Sequence, residues 1–160
     1  MQKMKSQDFT TTILVERTPE EVYKTILNVR AWWSGLFDEK FEGASEKTGD
    51  EFSFRAGGGV HHTKQKLVEL IPGKKLVWLV TDASLSFVRK KDEWKGTKMC
   101  FEIFRQEDKT KIVFTHAGLV PEFDCYDTCA PVWTQYIHER LAEALRSGVT
   151  VVDSPKTTLS

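Results

Sequence analysis

PVWTQYIHERLAEALRS, residues 131–147, is the stretch that decides the fold. Its apolar side chains recur at spacings of three, four and seven residues, which is typical of an amphipathic helix with one buried face. The apolar stripe consists of Trp133, Ile137, Leu141, Ala144 and Leu145. Pro131 predicts that the helix begins or is kinked there, and Gly148 is a natural stop. A long C-terminal helix therefore needs a surface that covers its apolar face.

The middle of the chain supplies this surface. Between residues 37 and 119, apolar stretches alternate with turn clusters, and no helical period persists. Six strands are predicted: Phe37–Ser45, Glu51–Arg55, Val60–Ile71, Lys75–Ala83, Thr97–Arg105 and Lys111–Leu119. Their short connections favour an antiparallel meander. Residues 82–95 fit either an extended strand or a loop.

One further strand and two short helices precede the meander. Phe9–Val15 is rich in β-branched residues, which favours a strand. The motif Thr18-Pro19-Glu20-Glu21 is a capping box with proline at the first helical position, so a helix begins there. A second helical turn, Arg30–Ser34, is expected to place Trp32 and Trp33 at the rim of the core.

Together these elements predict an α+β helix-grip fold. A sheet of about seven strands is too wide for one helix to cover while the sheet stays flat, so it should curl around the long C-terminal helix. The two short helices would follow the first strand. We expect residues 1–160 to form a single domain, with its core at about residues 9–148 and a polar tail at residues 153–160.

The composition argues against several classes of function. Lys plus Arg and Asp plus Glu both number 23, so no net charge favours nucleic acid or an anionic membrane as a partner. No apolar run approaches the roughly 20 residues of a membrane span, and the N-terminus lacks the apolar region of a signal peptide. A cytoplasmic location is therefore expected.

Three cysteines are present, and we interpret them as free thiols because their number is odd and the chain is large enough to fold without disulfides. Cys125 and Cys129 stand four residues apart, a spacing that places both on one helix face. Two further metal ligands are missing from their neighbourhood in the sequence. No metal and no other cofactor is expected.

Period-two alternation assigns one face of each strand to the interior. The side chains assigned to this wall, or to the helices facing it, form the candidate ligand-binding set. They are Trp33, Phe52, Phe54, Trp78, Met99, Phe101, Ile103, Phe114, His116, Trp133 and Ile137. An aromatic wall suits a flat or extended apolar ligand. The alternative is that these rings simply fill the core.

His116 is the polar residue of this set. An imidazole at the end of an apolar face either contributes to function, by orienting a ligand or moving a proton, or is a structural histidine with satisfied hydrogen bonds. His61 and His62 are neighbours in a strand, so at most one of them can join His116. Glu69 and Glu102 fit either an exposed face or a buried acid–base pair.

Several motifs of the chain resemble those of a known superfamily. In order, they are Thr18–Tyr23 leading to Trp32-Trp33, then Val68–Trp78, then Thr115–Leu119, and the helix of Trp133. On these motifs the chain, over about residues 9–148, is similar to the SRPBCC (START-like, birch-pollen-allergen-like) superfamily. The similarity is to the branch named after the activator of the heat-shock protein 90 ATPase.

The resemblance implies a fold with a hydrophobic cavity. It also implies small-molecule or lipid binding in several branches, chaperone association in another, and enzymatic activity in a few distant cyclases and dehydratases. A shared fold does not by itself select one of these activities.

Three functions therefore stay open. The leading hypothesis is a non-enzymatic domain that binds a small apolar molecule or lipid between the sheet and the C-terminal helix. The second is a chaperone-associated or stress-response interaction module, and the third is an enzyme that uses His116 as acid or base on an apolar substrate. A lined void favours the first, a filled core with an exposed apolar patch the second, and a histidine beside a carboxylate the third.

Overall fold

The computed structural model describes residues 8–34, 36, 38–59, 61–86, 91–120 and 126–147, and this part of the chain forms a curved sheet against helices. The strands are β1 (Phe9–Val15), β2 (Lys40–Gly43), β3 (Glu51–Ala56), β4 (His61–Ile71), β5 (Lys75–Leu85), β6 (Lys98–Gln106) and β7 (Lys109–Ala117). They form one seven-stranded sheet in the order β1-β7-β6-β5-β4-β3-β2. Every neighbouring pair is antiparallel, which confirms the predicted meander.

Two short helices, α1 (Pro19–Leu27) and α2 (Val29–Trp32), separate β1 from β2. The predicted capping box is present, because the backbone N–H of Glu21 donates to Thr18 Oγ1 at 3.1 Å and the N–H of Thr18 donates to Glu21 Oε1 at 3.0 Å. These two bonds satisfy backbone donors that have no partner inside the helix. The local sequence thus fixes where α1 begins.

The C-terminal helix has three consecutive parts, α3 (Tyr126–Gln135), a π-helical turn (Tyr136–Leu141) and α4 (Ala142–Ser147). Pro131 lies inside α3, so the helix does not begin at this proline. Four apolar residues face the core at a strict spacing of four: Trp133, Ile137, Leu141 and Leu145. On an α-helix such a row drifts by about 40° per step. The wider π-helical turn offsets this drift and helps to keep the row on the sheet.

All six predicted strands of the meander differ from the structure in at least one bound, by one or two residues in every strand except β2. β2 is shorter than the predicted Phe37–Ser45, and Phe37 lies outside the described residues. Gly43 ends β2 at a φ of 110°, where a Cβ atom would lie 2.5 Å from the carbonyl oxygen of Glu51. Only glycine fits this close approach. β5 continues to Leu85, whereas residues 87–90 lie outside the described part.

The long hairpin of β4 and β5 contains two irregularities. Its register shifts between Lys64 and Gln65, where Thr81 is the extra residue, and again between Leu67 and Glu69. Such bulges bend a strand and increase its twist, and they re-aim the side chains beside them. The curvature that surrounds the helix is therefore built into this hairpin.

One end of the sheet brings several chain segments together. At this end Ala56 pairs with His61, His61 pairs with Leu85, and Lys98 pairs with Ala117. Residues 91–97 run beside the last part of β5, and the N–H of Gly96 donates to the carbonyl of Val80 at 2.8 Å. We call this region the His61 end. None of the helices described in the structure is long and apolar enough to cross a membrane.

Candidate functional site

All eleven candidate ligand-binding side chains lie in one space between the sheet and the helices. Eight come from the inner faces of β3, β5, β6 and β7, while Trp33 follows α2 and Trp133 and Ile137 belong to the C-terminal helix. Their exposed fractions are between 0% and 5%. Side chains this inaccessible border scarcely any internal gap that could hold water. The protein's own rings therefore fill the space that these side chains line.

Trp33 lies at the centre of this packing. Its ring stacks on Phe54 with a centroid distance of 4.1 Å and an interplanar angle of 15°. Trp133 lies 5.3 Å away on the helix side, and Phe52 meets the ring edge at 6.0 Å. Offset stacking and edge-to-face contacts are the favourable geometries for aromatic pairs. The indole of Trp33 thus occupies the place between sheet and helix that a planar apolar molecule would take.

His116 is fully buried at the His61 end, and both of its ring nitrogens are hydrogen-bonded. The indole N–H of Trp133 donates to His116 Nδ1 at 3.0 Å. The other nitrogen, Nε2, lies 2.7 Å from Thr97 Oγ1, whose hydroxyl donates to the carbonyl of Trp94 at 2.7 Å. A hydroxyl has a single hydrogen, so His116 Nε2 carries the proton and donates to Thr97.

This arrangement holds His116 neutral. Burial, together with the neighbouring His61, lowers the pKa of His116 to about 3. A second proton on Nδ1 would face the indole N–H of Trp133, so two donors would oppose each other. We interpret His116 as a structural histidine, because neither nitrogen is available for proton exchange with a substrate.

Trp94 belongs to this site although its sequence context gave no sign of it. It lies among charged residues in the stretch 82–95, which fitted either an extended strand or a loop, yet it is only 2% exposed. Its ring meets His61 at 4.7 Å and His116 at 4.5 Å, both nearly perpendicular. The available signal was a single large aromatic residue among charged turn residues, which has no reason to lie in solvent.

The inner face of β4 contributes a second group that sequence reasoning missed. Thr63 and Gln65 are 1% and 0% exposed. Alternation separates these uncharged side chains from the outward Lys64 and Lys66, and this contrast could have identified them. His61 lies on the same face, and burial lowers its pKa to about 4. The inner wall of β4 is thus a polar row in an otherwise apolar space.

A polar contact holds the segment before β2 against the C-terminal helix. The phenol of Tyr136 donates to the carboxylate of Glu39, whose oxygens also accept the backbone N–H of Leu36 at 3.2 and 3.3 Å. Arg140 Nε donates to the carbonyl of Ser34 at 2.9 Å. Burial raises the pKa of Tyr136, and the adjacent carboxylate raises it further. These contacts close one side of the site.

The remaining candidates lie outside this space. Glu69 and Glu102 are on the outer face of the sheet, where Lys75 Nζ lies 3.6 Å from Glu69 Oε1. They do not form a buried acid–base pair. Cys129 is a buried free thiol, and Cys125 lies outside the described residues. In the described part of the chain, no three His, Cys, Asp or Glu side chains converge as metal ligands would.

The curved sheet, the gripped helix and the aromatic space between them define a START-like domain of the SRPBCC superfamily. Within it the chain belongs to the family of Activator of Hsp90 ATPase homolog 1-like proteins, whose model matches residues 16–146. No curated protein matches the chain.

Solved structures share the fold at low sequence identity. The Aha1 dimer from Colwellia psychrerythraea has a TM-score of 0.68 and 23% identity, over 89% of this chain and 98% of that chain. A protein from Mesorhizobium loti has a TM-score of 0.64 and 17% identity, over 86% and 97%. DynU16, from the dynemicin biosynthetic locus, has a TM-score of 0.56 and 15% identity, over 89% and 49%. These similarities establish the architecture.

Proposed function

We propose that this domain binds a small apolar molecule between the inner face of the sheet and the C-terminal helix. The fold class commonly binds hydrophobic ligands. The observation that carries the proposal is the stack of Trp33 on Phe54 at 4.1 Å. Trp33 follows a helix of four residues, so its backbone is not part of the sheet on which its ring packs. A planar apolar ligand would take over this stacking position.

Ligand entry would separate the helices from the sheet. Two features of the structure support such a movement. The C-terminal helix contains Pro131 and a π-helical turn, and neither makes a regular α-helical hydrogen-bond ladder. Single hydrogen bonds, such as that of the buried Tyr136 to Glu39, connect the helix to the segment before β2. Breaking a few of them would cost far less than unfolding the sheet.

A thermal-shift series with naphthalene as the probe tests this proposal. A molecule that binds only the folded chain raises its Tm with concentration, by mass action. We expect Trp33→Phe to raise the naphthalene affinity by about threefold or more, because a smaller ring competes less strongly for the stacking position on Phe54. Phe104→Leu is the matched control, since Phe104 is exposed on the outer face. Loss of the shift in the control but not in Trp33→Phe would place binding elsewhere.

Native mass spectrometry of the protein purified from its own source complements this series. A bound apolar metabolite is expected as a fixed mass increment that disappears on denaturation. The same increment on Trp33→Phe and on the wild type, at equal occupancy and equal Tm, would argue against the proposed site.

A second candidate function is a chaperone-associated interaction at the outer face, which the family description suggests. Leu14 and Phe104 are 46% and 45% exposed, and the register places them on either side of Lys111. Lys111 Nζ lies over the ring of Phe104 at 5.4 Å. Stimulation of an Hsp90 ATPase by the wild type, and its loss in Phe104→Ser, is the expected result. An unchanged ATPase rate with the wild type would exclude this role.

A further inference from the structure

Thr63 and Gln65 form a hydrogen-bonded pair on the inner face of β4. Some donors and acceptors of this pair have no partner among the described residues. The amide nitrogen of Gln65 donates to Thr63 Oγ1. Gln65 Oε1 is buried, and no donor from the described residues reaches it. Thr63 accepts the amide bond and keeps its own hydroxyl hydrogen to donate. The pair therefore offers at least one acceptor, Gln65 Oε1, and one donor, the Thr63 hydroxyl, to a further group.

An incomplete pair of this kind is costly in a folded protein. A buried acceptor without a donor loses its hydration and gains nothing in return, so most such groups are satisfied. An apolar side chain at position 65 would avoid this cost, because Phe52 and Val80 are the cross-strand neighbours. A binding role explains why an amide is present instead, since a ligand would complete its hydrogen bonds.

The pair borders the proposed ligand site directly. Thr63 is the cross-strand neighbour of Phe54, the residue on which Trp33 stacks. Directly opposed side chains in an antiparallel sheet lie about 5 Å apart at Cβ. The bulge at Thr81 faces the backbone between the two members of the pair. A molecule that takes the place of Trp33 would thus have its edge at Thr63 and Gln65.

The charges around the pair exclude an anionic ligand. Among the described residues, no Asp, Glu, Lys or Arg is fully buried. Burial keeps His61 and His116 neutral at pH 7 by lowering their pKa values. A carboxylate in this space would find no buried cation among the described residues, and Gln65 Oε1 would repel it. Burying an unpaired carboxylate is strongly unfavourable.

We infer that the ligand is a neutral apolar molecule with a hydroxyl group, which donates to Gln65 Oε1 and accepts from the hydroxyl of Thr63. This inference rests on the proposed function and assigns Gln65 as the residue that selects among apolar molecules. The body of the ligand lies among the aromatic rings, and its single polar group completes the pair on β4.

Isothermal titration of the full chain with four matched probes tests the inference. The probes are naphthalene, 2-naphthol, 2-methoxynaphthalene and 2-naphthoate, which share one ring system and differ in the polar group. We expect 2-naphthol to bind about tenfold more tightly than 2-methoxynaphthalene, because the ether cannot donate to Gln65 Oε1. The carboxylate is expected to bind most weakly of the four.

Variants of Gln65 and Thr63 then test whether this pair causes the preference for 2-naphthol over 2-methoxynaphthalene. In Gln65→Leu the affinities for 2-naphthol and 2-methoxynaphthalene are expected to agree within about twofold, because the acceptor is gone. Thr63→Val is expected to weaken 2-naphthol binding and to keep part of the preference. Lys66→Leu, on the outer face of the same strand, is the control and should retain the full ratio. A melting curve for each variant verifies that it is folded.

The outcomes separate this inference from the proposed function. Equal binding of naphthalene, 2-naphthol and 2-methoxynaphthalene by the wild type would overturn the inference and leave apolar binding in place. Tight binding of 2-naphthoate would overturn the requirement for a neutral ligand. A tenfold preference that survives in Gln65→Leu would remove Gln65 from the site. Absence of binding by all four probes would contradict the inference and the proposed function together.

Discussion

His116 and Gln65 are both uncharged polar side chains that the fold buries completely, one on β7 and the other on β4. At His116 the hydrogen bonds are complete, because Trp133 donates to one nitrogen and Thr97 accepts from the other. At Gln65 they are not, because Oε1 has no donor among the described residues. His116 links elements of the fold to one another, whereas Gln65 Oε1 could still accept a hydrogen bond from a bound molecule.

This difference separates two meanings of a buried polar residue. A satisfied histidine between a sheet and a helix adds specificity to the packing, and its removal leaves several partners unsatisfied. An amide oxygen without a donor adds no hydrogen bond to the fold, so replacing the amide together with its single partner costs the fold little. Before the structure, His116 was the natural candidate for function. The hydrogen bonds favour Gln65 instead.

The largest effect is expected from breaking the complete arrangement. We predict that His116→Leu lowers the free energy of unfolding by about 3 kcal/mol, because the indole N–H of Trp133 and a lone pair of Thr97 lose their partners in a dry site. Urea denaturation at neutral pH measures this change. His116→Gln can accept and donate as the imidazole does, so it should cost about half as much. Equal losses for the two variants would mean that only the shape of the ring matters.

A smaller effect is expected from acid. The pKa values of His61 and His116 in the folded chain, about 4 and about 3, lie below the ordinary value of 6.5. Their neutral forms therefore stabilise the fold fully above pH 6.5. As the pH falls below 6.5, the unfolded chain takes up protons that the folded chain does not, and stability is lost.

For each of these histidines the expected loss between about pH 8 and about pH 5 is about 2 kcal/mol. Urea denaturation at both pH values, for the wild type and for His116→Gln, isolates the share of His116. The variant should lose about 2 kcal/mol less than the wild type over this range. His62→Gln, on the outward face of β4, is the control. A variant that lost as much as the wild type would show that His116 is protonated readily in the folded state.

The smallest effect is expected at the incomplete pair, and it has the opposite sign. Gln65→Leu combined with Thr63→Val should raise the free energy of unfolding by about 1 kcal/mol, because the double change removes a buried acceptor without a donor, leaves no buried hydroxyl without its partner and adds apolar contact with Phe52 and Val80. Chemical denaturation at neutral pH measures the change. Lys66→Leu, which makes the same residue type on the outer face, should stay within about 0.5 kcal/mol of the wild type. A destabilised double variant would mean that the Thr63–Gln65 pair supports the fold.

The fold was predictable because its determinants are local and periodic. The capping box at Thr18 fixes the start of α1, and the alternation along β3 and β7 assigns Phe52, Phe54 and Phe114 to the interior. The apolar row from Trp133 to Leu145 needs a curved partner surface. Each of these signals follows from backbone geometry and burial within one element. The ligand-binding role of the wall residues stays a prediction.

The details of the site depend on contacts between elements, which no local pattern contains. Trp94 sits among charged turn residues, and only the pairing of residues 91–97 with β5 places its ring between two histidines. Whether Gln65 Oε1 finds a donor depends on the side chains that β3, β4 and β5 place around it. The π-helical turn was not predicted, because an α-helix with a drifting stripe fits the same four-residue spacing of the apolar row.

The hydrogen bonds at the His61 end have a direction. Trp133 donates to His116, His116 donates to Thr97, and Thr97 donates to the carbonyl of Trp94, so every bond points from the C-terminal helix towards the turn. These three hydrogen bonds together determine which nitrogen of the imidazole carries the proton. A residue at position 116 must accept a hydrogen bond from Trp133 and donate one to Thr97. Leucine and a doubly protonated ring cannot meet this requirement, and serine is too short to reach both partners, so a design based on this scaffold must keep both an acceptor and a donor at position 116.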